Sequence, residues 1–344
     1  MSKTLFMRRC FDLARMGAGK VSPNPMVGAV LVHQDRIIGE GFHQAYGGPH
    51  AEVNAVASVS EKDRHFIPKS TLYVSLEPCC IFGRTPPCTN LIIDQKIPKV
   101  IISTIDHTAE VAGHGIELLK KAGVEVEVGV LEDEGKALAA IRNTFVRQDR
   151  PYIILKYAQT KERILAPNPP KPYWITNKIT KRLVHQWRSQ IDAIMVGTNT
   201  AAIDNPQLNN RLYYGKSPIR IILDKDHKLS PDLHLFSGGT PTIVFTNRES
   251  LENKKNVTFL SIDWTKEVLP QVLHHLAQKR ITSLIVEGGS KLLQSFVEAN
   301  LWDEARVLEG PGSITNGLPA PQIEGQLIGQ FQVGDDQIWW YKNS

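Results

Sequence analysis

The first periodic pattern in the chain is helical. Between Met1 and Gly17, Leu5, Phe6, Phe11, Leu13 and Met16 are interleaved with Lys3, Arg8, Arg9, Asp12 and Arg15. That is an amphipathic surface helix, not a secretory leader, which needs an unbroken apolar segment. Apolar runs at 27–33 and 36–42, separated by Gln34-Asp35, predict a hairpin. A helix over 51–60 follows the turn Gly47-Gly48-Pro49, and runs at 71–76 and 99–104 predict strands. Between them lie a loop rich in Pro and Cys and a helix at 88–95. Ile116, Leu118, Leu119 and Ala122 mark the apolar side of a helix over 113–122, which Gly123 ends before a strand at 124–130. Helices alternating with strands predict an α/β layer domain.

The charged segment Arg147-Gln148-Asp149-Arg150-Pro151 interrupts the pattern and divides the chain into domains 1–148 and 149–344. Beyond it come a strand at 152–157, a Pro-rich loop at 167–172 and a helix over 177–189. Strands at 191–197, 219–224 and 242–246 follow, then a helix at 266–279, a strand at 283–287 and a helix at 290–299. Strands at 303–309 and 336–342 close the chain. This half is also α/β and repeats none of the first half's motifs.

The composition of the 344 residues, 42% hydrophobic and 22% charged, is that of a globular protein long enough for two cores. The net charge of +5 is spread thinly, +1 up to residue 150 and +4 beyond it. That excludes the dense basic field of an obligate nucleic-acid binder and suits a phosphorylated small molecule. No run approaches the roughly 18 apolar residues of a membrane span, so the expected location is the cytoplasm, with no membrane partner. A homo-oligomer is left open.

Three of the four cysteines, Cys79, Cys80 and Cys88, fall within ten residues, which reads as a metal or redox cluster rather than a disulfide framework. Pro49-His50-Ala51-Glu52 precedes a helix, and Glu77-Pro78-Cys79 follows a strand. One imidazole and two thiolates suit zinc with a fourth position for water, whose pKa the metal lowers to about 7. Glu52, two residues from the ligand, is placed to shuttle protons without binding the metal. The pattern matches the zinc-deaminase signature His-x-Glu with Pro-Cys-x-x-Cys, except that Phe82 stands where the second cysteine belongs. The second thiolate is therefore Cys80 or Cys88. Adjacent cysteines point in different directions, which favours Cys88. The bland reading, a surface histidine with inert buried thiols, leaves the coincidence of three motifs unexplained.

With Ser22-Pro23-Asn24-Pro25-Met26-Val27-Gly28, Gly41-Phe42-His43, Pro49-His50-Ala51-Glu52-Val53 and Gly83-Arg84-Thr85-Pro86-Pro87-Cys88, the first half resembles the bifunctional riboflavin-biosynthesis deaminase–reductase family. In that family the loop between the thiolates is lengthened as it is here. The resemblance implies a diaminopyrimidinone substrate bearing a ribosylamino 5'-phosphate, attacked by zinc-activated water at the carbon carrying the 2-amino group. It assigns the catalytic proton shuttle to Glu52, the metal to His50, Cys79 and Cys88, and substrate contacts to Asn24, His43 and Arg84. Otherwise Asn24 shapes a turn and His43 caps a strand. Departures from the family pattern are Cys80-Ile81 in place of Ser-His and Asp106-His107-Thr108-Ala109 in place of Asp-Pro-Asn-Pro.

In the second half, Gly288-Gly289-Ser290 opens a helix after a strand, as in many phosphate sites, but without a G-x-G-x-x-G fingerprint. Val196-Gly197-Thr198-Asn199-Thr200 and Asp204-Asn205-Pro206 read as loops after a strand. The family resemblance continues through Lys156-Tyr157-Ala158, Trp174-Ile175-Thr176, Asp204-Asn205-Pro206-Gln207-Leu208, Arg211 and Val286-Glu287-Gly288-Gly289. It implies a cytidine-deaminase-like α/β/α domain followed by a dihydrofolate-reductase-like domain that uses NADPH to convert ribosylamino to ribitylamino. Carried over, Ala158, Trp174, Thr200, Asp204 and Gly289, Ser290, Lys291, Leu292, Leu293, Gln294 and Ser295 line the cofactor. Lys156, Arg188, Leu208, Arg211 and Glu287 face the substrate. The bland readings are core packing for Trp174 and a turn for Asp204. Thr160-Lys161-Glu162-Arg163 and Pro170-Lys171-Pro172-Tyr173 depart from the family's Ser-Leu-Asp-Gly and Gly-Glu-Ser. Two alternatives accompany this reading: a deaminase of nucleosides or nucleic-acid bases, and a C-terminal module that senses a phosphorylated metabolite without reducing it.

Overall fold

The structure, a computed structural model, describes residues 3–249 and 251–343, so Met1 and Ser2 of the expected first helix lie outside the described residues. The chain divides into two compact units, Met1–Asp149 and Arg150–Ser344. Among the described residues no helix is long and apolar enough to cross a membrane.

The first unit runs α1 (Lys3–Arg15), β1 (Gly28–His33), β2 (Arg36–Phe42), α2 (Ala51–Ala57), β3 (Thr71–Leu76), α3 (Cys88–Asp94), β4 (Lys99–Thr104), α4 (His114–Lys121), β5 (Glu125–Val128), α5 (Glu132–Leu138) and α6 (Ala140–Gln148). Its sheet has the order β2-β1-β3-β4-β5, antiparallel at β1's two ladders and parallel from β3 to β5. Side chains alternate between two cores, as the period of two requires. Ala29, Leu31, Leu72, Val74, Val100 and Ile102 pack with Ala55 of α2, Ile92 of α3 and Leu119 of α4. Val30, Val32, Tyr73 and Ile101 pack with Phe6, Met7 and Phe11 of α1, joined by Leu138 of α5. Gly28 lets α1 sit this close to β1: a Cβ there would lie 2.0 Å from the Cys10 carbonyl oxygen. In α4 only part of the expected apolar side faces inward. Leu119 is buried and Ile116 packs beside it, but Leu118 is 43% exposed and Ala122 also faces solvent.

The second unit runs β6 (Tyr152–Gln159), β7 (Ile164–Pro167), α7 (Lys178–Gln190), β8 (Ala193–Val196), α8 (Thr198–Asp204), β9 (Ile219–Leu223), β10 (Thr242–Thr246), β11 (Val257–Ser261), α9 (Val268–Gln278), β12 (Ser283–Val286), α10 (Ser290–Glu298), β13 (Glu304–Glu309), β14 (Gly317–Pro319), β15 (Gln326–Val333) and β16 (Asp336–Lys342). Nine strands form one sheet of order β11-β10-β9-β8-β12-β6-β13-β16-β15, parallel from β11 to β13 and antiparallel at β16 and β15. Residues 198–200 and 204, expected in loops, belong to α8, which starts directly after Gly197. The main core joins Ile153, Leu155, Met195, Phe245 and Val286 to Val272 and Leu276 of α9 and Phe296 of α10. On the opposite face Val184 and Trp187 of α7 pack with Leu308 and Ile338.

This topology brings two loops of the second unit together. The chain runs outward from β8 to β11, then returns through α9 to insert β12 between β8 and β6. The loops after β8 and β12 therefore meet at their carboxyl ends, the switch point where open α/β sheets take ligands. The Gly197 N–H donates to the Gly288 carbonyl at 2.9 Å, tying the two loops together.

Candidate active sites

In the first unit, β3 delivers Cys79 just past its carboxyl end, His50 directly precedes α2, and Cys88 is the first residue of α3. His50 Nδ1 lies 3.4 Å from Cys79 Sγ and 3.3 Å from Cys88 Sγ. All three ligand atoms fall within 4.8 Å of one another, and among the described residues this is the one His/Cys/Asp/Glu group able to hold a metal. One nitrogen and two sulfurs are a zinc donor set. Cys80 takes no part, its Sγ donating instead to the Glu110 carbonyl at 3.6 Å.

The two thiols are joined by one S–H···S hydrogen bond. A hydrogen bond from Cys88 pulls Cys79 down to about 4 against the effect of burial, and the same bond, with burial, pushes Cys88 up. The Cys88 N–H also donates to Cys79 Sγ at 3.3 Å. A divalent cation replaces the proton of such a bond and leaves both sulfurs as thiolates. Glu52 is 3% exposed. Burial and the negative charge of Cys79 raise its carboxyl to about 7, outweighing the attraction of His50.

His43 is buried, and desolvation lowers its pKa below the usual imidazole value. With Nδ1–H donating to the Pro49 carbonyl at 3.0 Å, Nε2 accepts from Asn24 Nδ2 at 3.1 Å. Asn24, His43 and the residue before His50 thus form one hydrogen-bonded string. The Arg84 guanidinium lies 4.5 Å over the Tyr46 ring, on the exposed rim. Glu77, two residues before Cys79, has no role in the zinc motif itself. Its buried carboxylate accepts N–H bonds from Asp106 (3.3 Å), Gly113 (3.0 Å) and Ile116 (3.2 Å), which ties the segment bearing Cys79 to the 106–116 loop.

In the second unit Glu287 directly follows β12, with a side chain only 8% exposed. Its oxygens accept from Arg188 Nε and Nη2, both at 2.7 Å, and Lys156 Nζ stands 3.6 Å away. Burial alone would raise this carboxyl, but the two cations hold it down at about 2. Burial lowers Lys156 in spite of Glu287, so the strong partnership is the one with Arg188. Arg188 Nη1 also donates to the Asn209 carbonyl at 3.2 Å, just before Arg211. Leu208 is buried beside this segment.

Thr200 and Gly289 are in contact: a Cβ at Gly289 would lie 2.9 Å from Thr200 Oγ1. Ser290 Oγ donates to the Pro319 carbonyl at 2.8 Å, and Lys291 is exposed beside it. The rest of the expected stretch lies deeper. Leu292 and Leu293 belong to the core, Gln294 bonds Glu298, and Ser295 Oγ bonds the Leu292 carbonyl. Ala158 packs against the α7 cluster, and Asp204 is exposed at the end of α8. Trp174 is not core: it is 71% exposed with Lys181 Nζ 3.8 Å above its ring. A cavity of about 720 Å³ that motif reading missed lies outside the carboxyl ends of β9, β10 and β11, lined by Lys225, Asn247, Trp264 and His275.

Both units match known families. Residues 1–104 match the cytidine and deoxycytidylate deaminase zinc-binding region, and residues 151–327 match the RibD C-terminal domain. The chain is 38% identical over 319 residues to riboflavin biosynthesis protein RibD of Aquifex aeolicus, covering 91% of this chain and 88% of that one. It is 37% identical over 335 residues to the RibD of Actinobacillus pleuropneumoniae, covering 95% and 88%. The crystal structure of a diaminohydroxyphosphoribosylaminopyrimidine deaminase/5-amino-6-(5-phosphoribosylamino)uracil reductase from Thermotoga maritima superposes with a TM-score of 0.91 at 36% identity, covering 99% of this chain and 98% of that one. The two-domain α/β architecture expected from the resemblance is the one observed, a cytidine-deaminase-like domain followed by a reductase domain of dihydrofolate-reductase type. The similarity runs through both units, so a deaminase of nucleosides or nucleic-acid bases with a C-terminal metabolite-sensing module is not favoured.

Proposed function

The chain belongs to the RibD family, a bifunctional deaminase–reductase of riboflavin biosynthesis, and from that premise we propose that its two reactions are divided between its two units. The first unit deaminates a diaminohydroxyphosphoribosylaminopyrimidine. The second reduces the resulting 5-amino-6-(5-phosphoribosylamino)uracil, the activities named for the Thermotoga maritima relative.

In the first unit His50, Cys79 and Cys88 hold zinc, which when bound lowers the pKa of a water to about 7. Glu52, buried two residues from His50, takes the proton of the attacking water and passes protons to the ring nitrogen and the departing ammonia. Asn24 and His43, fixed by their mutual hydrogen bond, hold the base, and Arg84 on the rim meets the phosphate.

In the second unit NADPH, when bound, supplies the hydride that reduces the opened ribosyl group at C1'. Thr200, Gly289 and the start of α10 cradle the cofactor, and Lys225 offers its cavity a cation for a cofactor phosphate. Arg188 and Lys156, set by Glu287, and Arg211 present cations to the anionic substrate.

The observation that carries this reading is the His50–Cys79–Cys88 trio with Glu52 buried beside it. Two variants of the full chain test the division. Glu52→Gln keeps zinc, loses ammonia release by at least about a hundredfold, and still oxidises NADPH when given the deaminated substrate. Lys156→Gln does the reverse. Loss of both activities in either variant would contradict two separate sites.

A further inference from the structure

His185 lies on α7, 2% exposed, and no motif pointed to it. Its Nδ1 accepts the backbone N–H of Arg211 at 3.1 Å. The ring must therefore carry its proton on Nε2 and remain neutral, because imidazolium has no lone pair to offer. Burial, Arg188 and Arg211 all oppose protonation and hold its pKa down at about 4.

The setting gives this bond a function. Arg188, one helical turn after His185, donates to the Asn209 carbonyl while gripping Glu287. Two residues of one α7 face thus fasten both ends of the 209–211 segment. Between them the Asn210 side chain donates to the Gly215 carbonyl at 3.1 Å, closing the following loop. The Arg211 side chain is exposed, and its Nη1 donates to Asn209 Oδ1 at 2.8 Å. An arginine that must meet a phosphate with its planar fork loses affinity when its backbone drifts by an ångström.

We propose that His185 is a positioning residue of the reductase: a neutral acceptor on α7 that sets the backbone of Arg211 so that its guanidinium meets the phosphate of the substrate. The inference rests on the reading above that Arg211 faces that phosphate.

The experiment compares the full chain with His185→Leu, His185→Asn, His185→Gln and Arg211→Gln, using phosphorylated and dephosphorylated 5-amino-6-ribosylaminouracil. Removing one positioning hydrogen bond raises KM for the phosphorylated substrate about five- to tenfold in His185→Leu. Its kcat, its KM for NADPH and its KM for the dephosphorylated substrate stay within about twofold. Ammonia release by the first unit, measured on the same sample, stays unchanged. An amide oxygen in the better of His185→Asn and His185→Gln restores most of the loss. A fall in kcat at unchanged KM, an equal rise for both substrates, or no rescue by either amide overturns the proposal. Should His185→Leu fail to fold, the poorer of the two amide variants carries the test, and a KM that rises equally for both substrates, or for neither, overturns it. Arg211→Gln distinguishes the two failures. If it leaves the preference for the phosphorylated substrate intact, the phosphate reading itself is wrong.

Discussion

Replacing Glu287 by glutamine removes one negative charge and almost no volume from the center of the second unit. The carboxylate answers two largely buried cations, Arg188 with a side chain 12% exposed and Lys156 with one 14% exposed. They hold its pKa at about 2, against an ordinary value of 4.5. A displacement of that size corresponds to about 3 kcal/mol at neutral pH, in line with the 3–5 kcal/mol typical of leaving a buried partner unpaired. Because the folded pKa lies below the unfolded one, this stabilisation is whole above about pH 4.5 and fades as the pH falls toward 2. All six tryptophans, Trp174, Trp187, Trp264, Trp302, Trp339 and Trp340, lie in the second unit, so tryptophan fluorescence follows its unfolding alone. In urea, with a slope of about 2 kcal/mol per molar, Glu287→Gln should unfold at a midpoint about 1–2 M lower at pH 7. The gap should narrow steadily below about pH 4.5. Equal midpoints at pH 7, or a gap as wide at pH 3 as at pH 7, would refute the reasoning.

Two further expectations concern the first unit. Cys88→Ser should abolish stoichiometric zinc while Cys80→Ser retains it, since Cys80 is committed to the Glu110 carbonyl outside the ligand trio; metal analysis after dialysis decides it. Glu77→Ala strips three backbone N–H groups of their acceptor at about 1–3 kcal/mol each if they stay buried. Amide exchange at Gly113 and Ile116 should accelerate at least tenfold, with a smaller change in Glu77→Gln, and unchanged exchange would show that Glu77 does not organise the loop.

The sequence was most readable where apolar residues alternate on a two-faced sheet. The β1–β2 hairpin, β3 and β4 lie where the runs at 27–33, 36–42, 71–76 and 99–104 pointed. What escaped lacked such a contrast. Helix α6 buries no residue, and α5 opens on Glu132-Asp133-Glu134, so neither shows an apolar stripe. Helix α8 is built from Thr, Asn, Ala, Ile and Asp after a glycine, a composition that reads as loop until the β8 end holds it. Edge strand β15 is mostly exposed on both faces and offers no alternation. At the sites, His50, Glu52, Cys79 and Cys88 were legible because their spacing carries chemistry. Glu77 and His185 were not, because each works by accepting backbone N–H bonds from residues 29 to 39 and 26 positions away, a relation only the fold creates.

The most direct test is a sequential assay on the purified, zinc-loaded chain. Given the diaminohydroxyphosphoribosylaminopyrimidine, it should release one ammonia per substrate. With NADPH added, it should then oxidise one NADPH per ammonia released. No ammonia from protein with zinc bound would contradict the account of the first site. Ammonia without substrate-dependent NADPH oxidation would contradict that of the second.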